Sequence, residues 1–288
     1  MSVVADGRYV LITGASSGIG QACALELVRR GFHVFAGVRS EEAAQAVRAA
    51  GSPRLVPVRI DVTDEATIAA AAAEIDAATA AAGLWGLVNN AGMVIPGPLE
   101  VLPLALVRQQ LEVNVLGQVA VTQAMLRLLR RARGRIVNMG SVSGFVAAPF
   151  LGPYAASKHA LEAITDALRV ELAPWGIGVS IVEPQSIQTP IWEKARTAVD
   201  AMWEQMPPHA EELYGKVLRA ARRSVDRFEH QGLPVSRVVS AVVHALTAGR
   251  PRARYPVGWQ THAVYRVWHL LPTAVRDGIL RREMGIDS

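Results

Sequence analysis

Short apolar runs alternate with longer helix-forming segments through most of this chain, and no other feature restricts its fold as strongly. The runs are apolar on both faces, whereas strands of a half-exposed antiparallel sheet alternate apolar and polar side chains. The pattern therefore predicts a doubly wound α/β fold, in which helices cover both faces of a parallel sheet. The predicted strands span residues 9–13, 34–38, 55–60, 87–89, 135–139 and 179–182. The predicted helices span residues 19–30, 41–50, 64–82, 104–131, 153–173 and 236–248, the last with Ser236 as its N-cap.

The size and composition of the chain favour a single domain. Of its 288 residues, 51% are hydrophobic and 19% are charged, which is enough apolar material for one large core. Residues 188–233 break the alternation with several Trp, Met and Pro residues, and we interpret them as a helical flap over a substrate site. Residues 259–288 form a C-terminal extension, whose apolar side chains we expect to pack in the core or against another subunit rather than on lipid.

The charge of the chain gives little reason to expect a nucleic-acid partner. The formal net charge of +5 comes from basic residues scattered over many segments, without interleaved aromatic residues or a nucleic-acid-binding motif. No apolar stretch is long enough to span a membrane, and no signal peptide is visible, so we expect a cytoplasmic protein. The single cysteine, Cys23, excludes an intramolecular disulfide, and the scattered histidines suggest no metal site.

A glycine-rich turn follows the first predicted strand and leads into the first helix. Gly14 allows a sharp turn, Gly18 lets the backbone approach a pyrophosphate, and Gly20 lets the helix lie close to the sheet. The N-terminus of this helix offers free N–H groups and the positive end of its dipole. The turn therefore predicts a site for the phosphates of a dinucleotide. The residues of this predicted site are Gly14, Ser16, Ser17, Gly18, Ile19 and Gly20.

The end of the second strand distinguishes between the two forms of a nicotinamide cofactor. An acidic residue there favours the free 2′-hydroxyl of NAD(H), whereas a basic residue favours the 2′-phosphate of NADP(H). Arg39 stands at this end, so we predict NADP(H) as the preferred cofactor and NAD(H) as the alternative. Arg39 could instead form an ordinary surface ion pair with Glu41 or Glu42. Asp61, beside Val62 at the end of the third strand, is expected to accept a hydrogen bond from the adenine amino group.

Tyr154 and Lys158 lie four residues apart at the start of a predicted helix, so both side chains leave the same face. A phenol with a reference pKa near 10 is too weak an acid for neutral pH. A positive charge about 5 Å away, at an effective dielectric constant of about 20, contributes roughly 3 kcal/mol, or about two pKa units. We therefore predict that Lys158 lowers the pKa of Tyr154, which then acts as the acid–base catalyst.

With Ser141 after the fifth strand, these motifs make the chain resemble the short-chain dehydrogenase/reductase family over residues 8–260. Within that family it is similar to the 17β-hydroxysteroid and retinol dehydrogenase branch. The resemblance implies a Rossmann fold and a metal-free hydride exchange between a nicotinamide and an alcohol or carbonyl. The motifs that carry it are TGxxxGIG at 13–20, NNAG at 89–92, Asn114, Ser141 and YxxxK at 154–158.

The resemblance also implies roles for individual residues. Tyr154 gives or takes the substrate proton, Lys158 holds the nicotinamide ribose, and Ser141 hydrogen-bonds the substrate carbonyl. Asn114 supports a water relay to Lys158. Besides the residues named above, the implied cofactor contacts are Asn90, Ala91, Gly92, Tyr154, Lys158, Pro184, Ile187 and Thr189. The predicted substrate contacts are Ser143, Phe145, Phe150, Gln185 and Trp192.

The chain departs from the family pattern after the sixth strand. The family usually has a Pro-Gly pair there, but Gln185 follows Pro184 in this chain. We predict that the long polar side chain of Gln185 projects towards the nicotinamide pocket, where it lowers the efficiency of the site. Gln185 or Gln188 could hydrogen-bond a polar group of the substrate, and a side chain that points into solvent is the alternative.

Apolar residues near the predicted catalytic pair indicate a lipophilic substrate. Phe145, Phe150 and the flap suggest a bulky alcohol or ketone, with a steroid-like or retinoid-like skeleton. One alternative is a regulatory or scaffold protein that binds the cofactor but has an impaired active site. Another is the reduction of a ketone on an acyl carrier. The family resemblance implies a homodimer or homotetramer that associates through the helices 104–131 and 153–173.

Overall fold

A computed structural model describes residues 7–189, 197, 207, 209–215, 232–284 and 286 of the chain. Within these residues, seven parallel strands form one sheet in the order β3-β2-β1-β4-β5-β6-β7. The doubly wound α/β fold is thereby confirmed. The strands are β1 (Tyr9–Ile12), β2 (His33–Val38), β3 (Leu55–Arg59), β4 (Gly86–Asn89), β5 (Arg135–Met139), β6 (Gly178–Pro184) and β7 (Arg254–Val257).

Helices connect successive strands and cover both faces of the sheet. Two separate clusters of buried apolar side chains lie on these faces, one beneath α1, α2 and α7 and the other beneath α3 and α5. The helices are α1 (Gly18–Arg29), α2 (Glu41–Ala49), α3 (Glu65–Thr79), α4 (Leu104–Leu111), α5 (Gly117–Ala132), α6 (Gly152–Glu171), α7 (Val235–Thr247), α8 (Trp259–Val267) and α9 (Thr273–Met284). None of the described helices is long and apolar enough to cross a membrane.

The order of the strands determines where a ligand can bind. The chain passes from β1 to β2 and β3 on one side, and then returns to add β4 on the other side of β1. Ligands of such sheets bind outside the carboxyl ends of the strands at this reversal. The turn after β1 lies there, because a Cβ atom on Gly14 would stand only 2.9 Å from Cα of Ala91 in the segment after β4.

Several local predictions were wrong or incomplete. Helix α7 begins at Val235, and its N-cap is Pro234 rather than Ser236, so no side chain caps it. Strand β7 was not predicted, because Pro256 interrupts its short apolar pattern; the proline is tolerated since β7 is the edge strand. Most of the flap 188–233 lies outside the described residues.

The C-terminal extension packs only in part. Trp268 is buried, as expected, whereas Leu270 is 80% exposed and Val267 is 49% exposed. Cys23 is fully buried in the core beneath α1, and burial raises the pKa of its thiol to about 12. The reactive thiolate form is therefore strongly disfavoured, and the side chain packs as part of the core.

Candidate active site

The glycine turn after β1 has the backbone geometry that a bound phosphate requires. Gly14 and Gly18 have φ values of 64° and 57°, in the left-handed region that favours glycine. A Cβ atom on Gly20 would lie 2.3 Å from the carbonyl oxygen of Gly14, so no larger residue fits there. The side chain of the N-cap Ser17 makes no capping hydrogen bond, which leaves the first N–H groups of α1 to an anion. The turn therefore fits a dinucleotide pyrophosphate.

Hydrogen bonds from the segment after β4 hold this turn in place. Asn90 donates from Nδ2 to the carbonyl oxygens of Thr13 and Gly14, at 3.0 and 3.1 Å. In return, Oγ1 of Thr13 accepts from the backbone N–H groups of Asn90 and Ala91, both at 3.0 Å. The predicted residues Asn90, Ala91 and Gly14 are thus brought together. Thr13 was missed as a site residue, although a buried hydroxyl at the end of an apolar strand was a signal for it.

At the adenosine end of the site, the structure brings Arg39 and Asp61 near each other. Arg39 is exposed after β2, and its charge acts on the carboxylate of Asp61 after β3. Burial opposes ionisation of Asp61, but hydrogen bonds from Thr63 and the charge of Arg39 outweigh it, so its pKa lies below the usual value. Val62 is buried, and a Cβ atom on Gly117 of α5 would lie 2.7 Å from its carbonyl oxygen. This end offers one exposed cation and one ionised acceptor.

Asn114 lies in a π-helical stretch, Glu112–Leu116, between α4 and α5. Such stretches are rare and often mark functional sites. The side chain is fully buried, and its Nδ2 donates to the carbonyl oxygen of Met93 at 3.0 Å and to Oγ of Ser157 at 3.1 Å. Its Oδ1 accepts from the N–H of Met93 at 2.9 Å. The sequence predicted an uninterrupted helix here, because nothing in the local pattern signals the π-helical stretch.

Tyr154 and Lys158 lie one turn apart on α6, as predicted. Nζ of Lys158 is 5.7 Å from the centre of the Tyr154 ring and donates to the carbonyl oxygen of Met139, the last residue of β5, at 2.7 Å. Ser157 links the pair to Asn114, because its Oγ also donates to the carbonyl oxygen of Tyr154 at 2.6 Å. Burial lowers the pKa of Lys158 to about 8, although the nearby Glu162 opposes this. At neutral pH the ammonium form still predominates.

The pKa of Tyr154 shifts in the direction opposite to the one predicted. Burial raises the pKa of the phenol, and a hydrogen bond with Ser141 opposes this without reversing it. The predicted lowering by Lys158 is not found, because desolvation disfavours the phenolate and the Lys158 ammonium group bonds to the carbonyl oxygen of Met139 instead. The contact with Ser141 does place that hydroxyl beside the phenol, as expected for a pair that binds one substrate oxygen.

Ser141 is held by the backbone that follows it. Its Oγ accepts from the N–H of Ser143 at 3.1 Å, which fixes the side chain at the end of β5. In this arrangement Ser143 acts on Ser141 through its backbone, while its own side chain is half-buried. Gly92, in the segment after β4, faces Asn114: a Cβ atom on Gly92 would lie 3.3 Å from Oδ1 of Asn114.

A ladder of buried polar side chains lies beneath the site and fixes the ends of two strands. Asn89 of β4 pairs in register with Asn138 of β5, and its Nδ2 donates to Oδ1 of Asn138 at 2.9 Å. The same Nδ2 donates to Thr122 of α5 at 2.9 Å, and Nδ2 of Asn138 donates to Thr165 of α6 at 2.8 Å. The ladder ties two helices to the two central strands that precede the catalytic residues.

The predicted substrate residues form aromatic contacts on one side of the site. Phe145 is buried, and its ring meets the ring of Tyr265 in α8 edge-on, with ring centres 5.2 Å apart. Phe150 has a φ of 65° and packs edge-on against Tyr214, with ring centres 6.5 Å apart. The two tyrosines were not predicted. Trp192 lies outside the described residues.

The segment after β6 does not place Gln185 as predicted. Its N–H donates to the carbonyl oxygen of Val257 at 3.1 Å, which continues the pairing with β7. The side chain folds onto Gly258, where a Cβ atom would lie 2.1 Å from Oε1 of Gln185, instead of projecting freely into a pocket. Oε1 is buried and has no hydrogen-bond partner among the described residues. Gln188 is exposed, which agrees with the solvent-facing alternative for that residue.

The remaining predicted cofactor residues follow the same strand. Pro184 is buried at the end of β6. Ile187 is buried in the core and forms an isolated parallel bridge with Leu233. Thr189 is half-buried, and its Oγ1 donates to the carbonyl oxygen of Ile187 at 3.5 Å. These residues line the same edge of the sheet as the glycine turn.

Comparisons with known proteins agree with this geometry. A family model described as short chain dehydrogenase matches residues 8–200. Retinol dehydrogenase 16 of Homo sapiens is 38% identical over 278 residues, covering 95% of this chain and 87% of that protein. The 17-beta-hydroxysteroid dehydrogenase type 6 of Homo sapiens is 38% identical over 283 residues, covering 96% and 88%. An NADPH-dependent 3-dehydrocapnine reductase of Ornithobacterium rhinotracheale is 36% identical over 282 residues, covering 96% and 97%.

Solved structures share the fold over nearly the whole chain. A short chain dehydrogenase/reductase from Burkholderia phymatum in complex with NAD has a TM-score of 0.79 and 28% identity, with 93% of this chain and 94% of that chain covered. A short chain dehydrogenase from Burkholderia cenocepacia in complex with NADP has a TM-score of 0.74 and 27% identity, with 96% and 98% covered.

Proposed function

Since the chain belongs to the short-chain dehydrogenase/reductase family, whose members are oxidoreductases, we propose that it exchanges a hydride between NADP(H) and a lipophilic alcohol or ketone. In this proposal Tyr154 is the acid–base catalyst. The observation that carries it is the set of contacts that brings Ser141, Lys158 and Asn114 together around Tyr154, with Ser157 as a link. Ser141 contacts Tyr154, the backbone of Tyr154 is tied to Ser157, and Ser157 accepts from Asn114, while Lys158 lies beside the Tyr154 ring.

Each of these side chains has a distinct task in the proposed reaction. A bound nicotinamide would supply the hydride donor or acceptor. The hydroxyl groups of Ser141 and Tyr154 would hold the substrate oxygen between them, and Tyr154 would deliver its phenolic proton as charge develops on that oxygen. Lys158 would orient the nicotinamide ribose and stabilise the resulting phenolate. Asn114 keeps the start of α6 in position through its hydrogen bond to Ser157.

The preference for NADP(H) over NAD(H) rests on Arg39. The side chain is exposed at the carboxyl end of β2 and forms no ion pair within the described part of the chain, so its guanidinium could form paired hydrogen bonds with a 2′-phosphate. One of its two alternative surface partners, Glu41, pairs with Arg48 at 2.7 Å instead. The relatives include an NADPH-dependent reductase, while the similar solved structures hold NADP in one case and NAD in the other. A ratio of kcat/KM values for NADPH and NADH measures the preference directly.

The proposed substrate is a bulky lipophilic alcohol or ketone with a steroid-like or retinoid-like skeleton. Two aromatic pairs, Phe145 with Tyr265 and Phe150 with Tyr214, give the substrate side an apolar character. The names of the relatives, which include retinol and 17-beta-hydroxysteroid dehydrogenases, support the same class.

The experiment that tests this function is NADPH oxidation, followed by absorbance, with a panel of steroid ketones, retinal and simple aryl ketones. Turnover that disappears in Tyr154→Phe would support the proposal. Binding of NADPH without turnover on any member of the panel would favour the alternative, a cofactor-binding regulatory protein. The buried, unpartnered Oε1 of Gln185 makes Gln185→Gly the first reversion to try in that case.

We also propose that the chain is a single-domain, cytoplasmic protein that forms a homodimer or homotetramer. Exposed apolar side chains on the helices that the family resemblance assigns to the subunit contact support self-association. Leu104 is 58% exposed, Leu116 is 55% exposed, and Val170 of α6 is 70% exposed. Light scattering of the wild-type protein and of Leu116→Asp would test this, with a monomeric wild type as the contradicting result.

A further inference from the structure

Two buried glutamates meet one arginine close to Lys158. Glu162 follows Lys158 by one turn of α6, and Glu183 lies in β6 with no exposed surface. Nη1 of Arg254 in β7 bonds to both carboxyl groups, with the Glu183 contact at 2.8 Å. We call Glu162 and Glu183 the carboxyl pair. The pair joins the helix of the proposed catalytic residues to two strands.

The carboxyl pair has more buried oxygen atoms than it has donors. Each glutamate uses one oxygen to accept from Arg254, while Oε1 of Glu162 and Oε2 of Glu183 are buried without a partner among the described residues. Both carboxyl groups bond to the same nitrogen, Nη1 of Arg254, so they lie close to each other. A buried acceptor without a donor is costly, and a proton on one of the two groups would supply the missing donor.

The electrostatics of the pair favour the same arrangement. Burial and, after it, the negative charge of Glu162 raise the pKa of Glu183 to about 8, against the opposing effect of Arg254. Burial also raises the pKa of Glu162, again opposed by Arg254. Two carboxylates in one buried site cannot both ionise easily, so the last proton belongs to the pair rather than to one residue.

We propose that the carboxyl pair shares one proton near neutral pH and acts as a positioning unit for Lys158, whose ammonium group it keeps charged as the pH rises. When the pair loses that proton, it gains a negative charge one helical turn from Lys158. The added negative charge favours the ammonium form of Lys158, because the charge of Glu162 already raises the pKa of that group. This inference rests on the proposed function, because only there does Lys158 have a catalytic task.

The other titratable groups near the pair on α6, Asp166 and His159, already have hydrogen-bond partners. On α6, Asp166 accepts from Nη2 of Arg254 at 2.7 Å and also pairs with Arg169, and its side chain is 44% exposed. His159 acts on Glu162 with a weak favourable charge, while its Nδ1 is bonded to the carbonyl oxygen of Ala155.

The elements that pack against the pair from other directions contribute no further described charge. The segment after Ser141 meets Glu162 through Gly144, where a Cβ atom would lie 2.9 Å from Oε1 of Glu162. From α8, the ring of Tyr265 faces Arg254, with its centre 5.9 Å from the guanidinium carbon. Lys158, one helical turn from Glu162, forms no ion pair with a carboxylate among the described residues and donates to the carbonyl oxygen of Met139.

The titration of Lys158 can be measured directly, because the chain contains three lysines, Lys158, Lys194 and Lys216. Protein labelled with ¹³C at lysine Cε gives three signals, and Lys158→Met identifies the one from Lys158. We expect Glu162→Gln and Glu183→Gln each to lower the midpoint of the Lys158 titration by about one pH unit. Asp166→Asn, which removes the exposed partner of the same arginine, should lower it by less than half as much. Equal midpoints in wild type and both glutamine variants would overturn the proposal.

Thermal unfolding gives a second readout that does not depend on activity. The folded-state pKa of Glu183 lies above its unfolded value, so its protonation stabilises the fold below about pH 4.5, and this contribution is lost as the pH rises through about 8. The wild-type Tm should therefore fall relative to that of Glu183→Gln between pH 5 and 9. A difference in Tm that is constant with pH would contradict a shared proton.

The two proposals can fail separately. If the chain turns over no alcohol or ketone, the titration of Lys158 and the pH dependence of Tm still report on the carboxyl pair. If turnover is normal but the alkaline limb of the kcat profile lies at the same pH in wild type and Glu183→Gln, the inference fails alone. A purely structural role would reduce stability at every pH without moving that limb.

Discussion

The proposed catalytic end and the proposed adenosine end of the site lie on the same edge of the sheet but are built differently. At the catalytic end, Asn114 and Lys158 are buried and bonded to backbone carbonyl groups, so their positions follow from the fold. At the adenosine end, the turn at Gly14 is fixed by Asn90, while Arg39 is an exposed side chain. The first end is preorganised for chemistry, and the second combines a fixed backbone with an adjustable charge.

The comparison predicts the largest effect for a change at the catalytic end that leaves the fold intact. Tyr154→Phe removes the proton donor and keeps the ring, so we expect kcat to fall by about 10²–10⁴-fold with little change in cofactor affinity. Steady-state kinetics and NADPH fluorescence titration measure the two quantities. A variant with more than a tenth of wild-type kcat would show that another group transfers the proton.

A smaller effect, limited to one cofactor, is expected at the adenosine end. Arg39→Ala should lower kcat/KM for NADPH by about 10–100-fold, because one charge-assisted pairing is lost, and should leave kcat/KM for NADH nearly unchanged. The control is Arg48→Ala, which removes another exposed arginine that pairs with Glu41. An equal loss with both cofactors would mean that Arg39 does not distinguish them.

The polar ladder beneath the catalytic end should affect stability more than chemistry. Asn138→Ala removes the acceptor of Asn89 and the donor to Thr165, and leaves both buried. We expect a loss of about 1–3 kcal/mol in the free energy of unfolding, measured by urea denaturation. Thr63→Ala, at an exposed position, is the control. Equal losses of unfolding free energy in the two variants would contradict a stabilising role of the ladder.

The smallest effect is expected at Gln185. Gln185→Gly removes a side chain that packs on Gly258 and adds backbone freedom after β6, so kcat/KM should change by less than about threefold. A large gain in kcat would instead support the family-pattern argument that this residue impairs the site.

The same comparison explains which parts of the molecule could be predicted from sequence. Residues such as Gly20, Tyr154 and Lys158 were predictable because a close backbone approach or a shared helical face requires those residue types at that spacing. The π-helical stretch around Asn114 and the strand at Arg254 were not, because both depend on contacts between segments far apart in sequence.

Predicted directions of side chains and pKa shifts were less successful than predicted positions. Gln185 turns onto Gly258 because pairing with β7, itself unpredicted, sets the course of the chain. The pKa of Tyr154 rises because burial, which depends on the whole fold, outweighs the hydrogen bond with Ser141.

The most direct test of the proposed reaction follows the hydride itself. NADPH carrying deuterium at nicotinamide C4 is incubated with each ketone of the panel, and the product alcohol is analysed by mass spectrometry. We predict one deuterium at the carbinol carbon with the wild-type protein and about 10²–10⁴-fold slower formation of that product with Tyr154→Phe. Labelled alcohol formed equally fast by Tyr154→Phe, or no labelled alcohol from a protein that binds NADPH, would contradict the account.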